Sequence, residues 1–408
     1  MNPSNENRPL RIAHIVRRFV FEEWGGIESV VWNTVRDQRV KGHVPAIFAT
    51  SALRREGAGV WERDGIEIHS LDYEYPYFPM NPRDRGTLDK KGGNPYVPGL
   101  EQALREFRPD VVHIYCGGRL AAAAIKVAKS LGGASVMILQ GGDASVPKEE
   151  LDKMLRPLKG KFPWGGIVDR LRGLRFNPVS RADAVLSLSN GECDKLRTEY
   201  PQGDIRYFPN GVEAPKVRRT PGEFKGRLLC VARIDYQKNQ KLIVELLAAC
   251  PGTTARLIGP VTSDWYRDEI VARAKELGVA DRLTIIEGLP HGSAELEKEF
   301  AQADAFVLPS VHEPFGIVAL EAWTHGLPLL ASSVGGLKDF IRDGEHGLLF
   351  ASEDSAALVA AYRRLAGSRE LREHLVAQAY RDVGAYTWPV IGDRLIGIYR
   401  ELLAKKTR

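Results

Sequence analysis

Cysteine is scarce in this chain. Cys116, Cys193, Cys230 and Cys250 are the only four among 408 residues, with no paired spacing and no histidine cluster beside them. A disulfide framework and a cysteine–histidine zinc site are set aside on that ground, and the four thiols read as reduced and mostly buried. Long apolar runs are missing too. No stretch approaches the roughly 20 residues that cross a bilayer, and residues 1–9 are polar, without the apolar centre of a secretory leader. The expected location is the cytoplasm, peripheral to the inner face of the membrane at most. Nor is there a large excess of one charge. With 57 Lys and Arg against 52 Asp and Glu the net charge is +5, which suits anionic small molecules or membrane surfaces; no nucleic-acid motif is present and no nucleic-acid partner is expected. No Asp-x-Asp pair occurs, and neither a metal nor any other cofactor is expected.

What is present is regular alternation. Apolar runs at 11–16, 46–50, 111–114 and 135–139 alternate with helical stretches at 27–40 and 120–131. After residue 226 the pattern returns, with strands at 227–231, 255–258 and 283–286 and helices at 242–249 and 267–277. Strand–helix alternation twice over predicts an α/β protein of two doubly wound domains, and the chain is too long for one ordinary core. The charged, proline-bearing stretch 213–221 reads as the linker.

Two inserts interrupt the first half. Tyr73-Glu74-Tyr75-Pro76-Tyr77-Phe78-Pro79 opens a Gly- and Pro-rich loop that reaches Pro98, and a loop of that length in a compact domain is functional or mobile. The second, 145–181, carries Lys148, Lys153, Arg156, Lys159, Lys161, Arg170, Arg172, Arg175 and Arg181 against four acidic residues, with Phe162, Pro163 and Trp164 in its middle. Both a solvated pair of helices and a patch for peripheral contact with an anionic membrane or a lipid-linked acceptor fit this composition.

The most informative segment is His312-Glu313-Pro314-Phe315-Gly316-Ile317-Val318-Ala319-Leu320-Glu321-Ala322. The apolar run 305–308 predicts a buried parallel strand and 316–324 has the spacing of a helix packed on it, so the residues between form a strand-to-helix turn. Such turns lie at the carboxyl edge of an open α/β sheet, where the amides of the following helix favour an anion. Pro314 is expected at the first helical position, and Gly316 lets a ligand approach the backbone. Glu313 then lies in the mouth of the turn and Glu321 inside the helix, two carboxylates suited to vicinal hydroxyls. Arg233 and Lys238 follow strand 227–231 and can reach an anion at the same edge, where two fixed cations would stabilise its charge.

Several segments together resemble the retaining glycosyltransferases of family 4. The Glu313–Glu321 stretch is similar to that family's signature, and Val231-Ala232-Arg233-Ile234-Asp235-Tyr236-Gln237-Lys238-Asn239 resembles its basic diphosphate clamp. Phe208-Pro209-Asn210-Gly211-Val212 resembles the end of the family's first domain, Trp24-Gly25-Gly26-Ile27-Glu28 the glycine loop after the first strand, and Val334-Gly335-Gly336-Leu337 a later glycine turn. The resemblance implies the GT-B fold, two facing Rossmann-like domains with a cleft between them: 1–213, completed by a C-terminal helix at 388–408, for the acceptor, and 222–387 for the nucleotide-sugar donor.

On this resemblance Glu313 bonds the transferred sugar, Glu321 the ribose, and Arg233 and Lys238 the diphosphate. Phe315, Gly316 and Ile317 offer backbone amides, Gly288 and Leu289 form the base-binding turn, and Gly25 and Gly26 admit diphosphate or acceptor. On the acceptor side the pattern departs from the family: His113 is followed by Tyr115 where a second histidine is common, and Gln140, ahead of Asp143, stands in a histidine's place. Asn239 replaces the commoner glycine and resembles the sucrose-synthesising members, a pointer to a UDP-glucose-like donor. The implied reaction is metal-independent transfer from a nucleoside diphosphate sugar, a UDP-sugar first, to a hydroxyl of a carbohydrate, lipid-linked or small-molecule acceptor, with retention and without a covalent nucleophile. A GDP-mannose-dependent mannosyltransferase and a catalytically silent nucleotide-sugar-binding protein are the alternatives.

Overall fold

The computed structural model describes residues 8–21, 25–141 and 156–406. The chain divides into two compact units, Met1–Leu188 with Glu192–Phe208 and Gly392–Arg408, and Ser189–Gly191 with Pro209–Ile391. Both are mixed α/β units built on sheets of mainly parallel strands.

In the first unit the strands are β1 (Arg11–Arg18), β2 (Val44–Thr50), β3 (Gly59–Arg63), β4 (Ile66–Leu71), β5 (Tyr77–Phe78), β6 (Val111–Ile114), β7 (Ala134–Leu139), β8 (Phe162–Pro163), β9 (Ala184–Ser187) and β10 (Ile205–Tyr207). Eight of them form one sheet in the order β10-β9-β7-β6-β1-β2-β4-β3, parallel except where β3 turns back on β4. The central strands read as unbroken apolar runs because helices cover both faces: Ile12, Ala13 and Ile15 of β1 are fully buried, as are Val111, Val112 and Ile114 of β6. The second unit holds β11 (Arg227–Val231), β12 (Thr254–Ile258), β13 (Leu283–Ile286), β14 (Ala305–Leu308), β15 (Leu329–Ser332) and β16 (Leu348–Phe350), all parallel, in the order β13-β12-β11-β14-β15-β16. From β11 the chain winds outward to β12 and β13, then returns to lay β14 on the other side. Neighbouring loops therefore diverge between β11 and β14, and the crevice at such a switch point is where open α/β sheets bind ligands.

Two expectations are corrected. The stretch 73–98 is not a structureless loop. Glu74 bridges Tyr96, a helix spans Pro82–Lys91, and β5 pairs antiparallel with β8 of the second insert. The buried Asp89 carboxylate accepts the hydroxyls of Tyr73 at 2.8 Å and Tyr75 at 3.0 Å, so side chains far apart in sequence supply the order that the local composition lacks. Pro314 does not open the following helix, which runs Ile317–Thr324 with Gly316 as its cap at φ 91°. The first helical amide bond, Ala319 N–H to the Gly316 carbonyl at 2.9 Å, starts two residues after the proline.

The four cysteines are unpaired thiols, and burial pushes Cys116 and Cys230 up to about 12. No helix among the described residues is long and apolar enough to cross a membrane.

The first core contains an unusual polar element. His14 of β1 is fully buried, with Nε2 donating to Gln38 Oε1 at 2.8 Å and Nδ1 accepting from the Tyr115 hydroxyl at 3.1 Å. These bonds satisfy one neutral tautomer, and burial holds the imidazole down at about 4. In the unfolded chain it titrates near its ordinary value, so the unfolded state takes up a proton first as pH falls. Stability contributed by neutral His14 is therefore complete above pH ~6.5 and is lost as pH drops toward 4, by about 3 kcal/mol. Urea unfolding at pH 4.5 and 7 checks this: His14→Gln should lose clearly less stability between the two than the wild type, and equal losses would refute the assignment.

Candidate functional site

The switch point of the second sheet is built from the loops that leave its strands. After β11 the chain makes a short 3-10 turn, Tyr236–Lys238, capped by the Asp235 carboxylate, which accepts the Gln237 amide at 2.9 Å. Thr262, in the loop after β12, donates to the same carboxylate at 2.9 Å. The turn ends at Asn239 with φ 49°, a left-handed conformation that glycine and asparagine enter most readily. That backbone requirement is one that asparagine meets in the place of the commoner glycine. Gln240, fully buried, fixes the start of the loop by donating Nε2 to the Arg233 carbonyl at 2.7 Å.

The loop after β14 meets this turn. The Val311 amide donates to the Gln237 carbonyl at 2.8 Å, and the Lys238 ammonium donates to Glu313 Oε2 at 2.5 Å. Ser310, fully buried, adds its hydroxyl to the same carboxylate oxygen at 3.2 Å. The side chains of Lys238 and Glu313 are 14% and 9% exposed, so each charge is compensated chiefly by the other. Both protein contacts fall on Oε2, which leaves Oε1 able to accept from a hydroxyl, and Lys238 keeps two further N–H donors.

The backbone of Glu313 is held from β15. The Gly336 amide donates to its carbonyl at 3.0 Å. A side chain on Gly335, at φ 48°, would overlap the Glu313 carbonyl, and one on Gly336 would overlap that of Pro314. The glycine turn 334–337 thus packs backbone against the backbone of Glu313 and Pro314. Phe315 is buried with its ring against Phe340, so only its backbone can face a ligand. Within the described residues the amides of Phe315, Gly316 and Ile317 donate no hydrogen bond, and they lead through the Gly316 cap into the eight-residue helix Ile317–Thr324. Such amides suit an anion.

Of the two cations singled out in the sequence, only Lys238 joins the carboxylate. Arg233 is about half exposed and lies 3.5 Å from Asp235 Oδ2. Glu321 is on the helix, partly buried, and Oε1 lies 3.2 Å from His291 Nε2. His291 is a residue that the sequence did not single out: it stands in a loop with no periodic pattern, and only folding places it against a side chain 30 positions on. Its bond to Glu321 raises its pKa above the ordinary histidine value. The same loop, after β13, carries Gly288 at φ 87° and the half-buried Leu289, so the turn expected to meet a base is tied to the glutamate expected to meet a ribose. Among the described residues no group of three His, Cys, Asp or Glu side chains could hold a metal ion.

In the first unit, Gly25 caps the helix Gly26–Val40 and Gly26 begins it. Glu28 is buried, with its carboxylate against the amides of Gly25 and of Glu28 itself; burial raises its pKa and those amides pull it back. A glutamate three positions past the cap that reaches back in this way is the return half of a capping box. His113 and Tyr115 do not present themselves to an acceptor. Both are buried, with rings stacked 4.4 Å apart, and His113 Nδ1 pairs with the Tyr399 hydroxyl of the C-terminal helix. Burial drives the His113 pKa down, so it is a neutral core residue. Gln140 follows β7, partly buried, with no hydrogen-bond partner for Nε2 among the described residues; Asp143 lies outside the described residues.

Comparison with known proteins places each half. Residues 24–215 match the family model described as Glycosyltransferase Family 4, and residues 216–382 match Glycosyl transferases group 1. A D-inositol 3-phosphate glycosyltransferase of Catenulispora acidiphila is 26% identical over 402 residues, covering 93% of this chain and 91% of that protein. A glycogen synthase of Mycobacterium tuberculosis is 31% identical over 243 residues, but the match spans only 56% of each chain. Among solved structures, a sucrose-phosphate synthase from Thermosynechococcus elongatus superposes with a TM-score of 0.74 at 22% identity over 97% of this chain and 100% of that one. The fold is GT-B in type.

The glycine turn yields a direct test. Gly335→Ala places a methyl against the Glu313 carbonyl in a conformation that alanine resists. Melting should show a loss of about 1–3 kcal/mol, and activity should fall further than stability. An alanine variant of wild-type stability and activity would show that the turn does not position Glu313.

Proposed function

We propose that this chain, a member of glycosyltransferase family 4, transfers a glycosyl group from a nucleoside diphosphate sugar to a hydroxyl acceptor with retention of anomeric configuration. The observation that carries this reading is the Lys238–Glu313 pair at the switch point of the second sheet. Lys238, with two donors free for phosphate oxygens, stabilises the charge that grows on the diphosphate as the glycosyl bond breaks, and Arg233 approaches from the solvent side. Glu313 Oε1 accepts hydroxyls of the transferred sugar, and the amides of Phe315, Gly316 and Ile317 face the diphosphate. Glu321, oriented by His291, accepts the ribose hydroxyls, and Gly288 and Leu289 lie against the base. The departing diphosphate takes the acceptor's proton on the same face of the sugar, so no protein nucleophile enters. The two cations fill the electrostatic role that a metal fills in other transferases.

Uridine is the base we put first. Among acceptors we put a phosphorylated polyol first, a choice supported by the relatives named D-inositol 3-phosphate glycosyltransferase, and after it an α-glucan, supported by the relative named glycogen synthase, and a lipid-linked sugar.

Thermal melting with UDP, GDP and ADP, each with and without its common sugars, identifies the donor, since only ligands of the native state raise the melting temperature. One uridine ligand should stabilise selectively; a guanosine ligand would move the donor to GDP-mannose, and no shift with any would contradict the reading. Lys238→Ala should weaken diphosphate binding by about tenfold or more, the scale of one charge-assisted bond. Glu313→Gln should abolish transfer with nucleoside diphosphate affinity within about twofold of wild type. Wild-type turnover in the glutamine variant would remove Glu313 from the reaction.

A further inference from the structure

Within the two inserts of the first unit, the described residues 76–92 and 156–175 fold into one surface element, and its chemistry is unlike that of the surrounding sheet. Its strands β5 and β8 set Phe78 directly opposite Phe162, and these rings are 70% and 61% exposed. The helix that follows, Gly165–Leu171, carries Ile167 and Leu171 one turn apart, exposed by 59% and 81%. Large apolar side chains exposed singly are ordinary, but four within one small element mark an interaction surface.

Within residues 76–92 and 156–175 the exposed charges are one-sided because the three carboxylates described there, Asp84, Asp89 and Asp169, are all engaged. Asp84 is paired with the Lys161 ammonium at 2.7 Å. Asp89 is buried under the hydroxyls of Tyr73 and Tyr75. Asp169 holds Arg119 through two bonds of 2.8 Å. Every exposed charged side chain described in residues 76–92 and 156–175 is cationic, Arg83, Lys90, Lys159, Arg170 and Arg175 among them.

We infer that this element docks the protein on an anionic lipid bilayer, with Phe78, Phe162, Ile167 and Leu171 entering the headgroup boundary and the arginines and lysines meeting lipid phosphates. A bilayer satisfies both features at once: apolar side chains gain a hydrocarbon boundary and basic ones an anionic surface. A second copy of the chain does not, because a two-fold contact would set one cationic rim on another. A nucleic acid would engage the charges, and its bases could stack on Phe78 and Phe162, but the aliphatic Ile167 and Leu171 offer a base no ring to stack on and would stay in water.

Co-sedimentation of the full chain with vesicles tests this. The chain should bind vesicles of equal parts phosphatidylglycerol and phosphatidylcholine, should ignore pure phosphatidylcholine, and should release as salt rises. Phe162→Ser with Leu171→Ser, and separately Arg170→Glu with Arg175→Glu, should each cut binding at least about tenfold at an unchanged melting temperature. These positions are exposed, so the melting temperature reports whether either variant has been lost to misfolding; the two variants test the apolar and charged contributions independently. Absence of binding to anionic vesicles, equal binding to neutral ones, or full binding by both variants would overturn the proposal. So would capture of single-stranded RNA in preference to vesicles.

Discussion

Two charges that leave water together must be held together, and the second unit is arranged around that constraint. Lys238 and Glu313 come from loops on opposite sides of a strand-order reversal, where neighbouring loops diverge. Each is mostly out of solvent and each is the other's main compensation. The surrounding details serve to keep them in register. Asp235 caps the lysine turn, Asn239 ends it in a left-handed conformation, Ser310 supports the carboxylate, and the Gly335-Gly336 turn holds the glutamate backbone from the next strand. Such a pair is a weak source of net stability, because desolvation offsets the attraction. Its value is positional: it presents one carboxylate oxygen and two ammonium protons in fixed directions at the sheet edge where anions and hydroxyls are received.

The first unit has the same winding and a different outcome. Its order also reverses between β1 and β6, yet those two strands contribute His14, His113 and, one residue on, Tyr115 to a closed core instead of an open pair of charges. Both imidazoles are kept neutral by burial. At the start of the helix Gly26–Val40, the amides of Gly25 and Glu28 already face the Glu28 carboxylate instead of an external anion. Equivalent topology therefore does not dictate equivalent chemistry; the side chains at the strand ends do.

The fold class was readable from the chain because buried parallel strands are apolar along their whole length. Runs 227–231, 283–286 and 305–308 coincide with β11, β13 and β14. The inserts were not readable in the same way, since what orders them is pairing between residues 77–78 and 162–163 and a carboxylate shared by two tyrosines, contacts with no local signature. At the site, residue types and spacing pointed to the carboxyl-edge loops, and Lys238 and Glu313 meet there across 75 positions of sequence. Three things escaped: the packing of Tyr115 on His113 and of His113 on Tyr399 near the far end of the chain; the contact of His291 with Glu321; and the left-handed turn at Asn239. Each depends on tertiary packing that strand and helix periodicity does not encode.

The most direct measurement is a crystal structure of the chain with an intact UDP-hexose or a non-hydrolysable analogue. The account places the diphosphate within hydrogen-bonding distance of Lys238 and of the amides at 315–317, with sugar hydroxyls on Glu313 and ribose on Glu321. A donor bound at another edge of the sheet, or one that leaves the Lys238–Glu313 pair untouched, would contradict it.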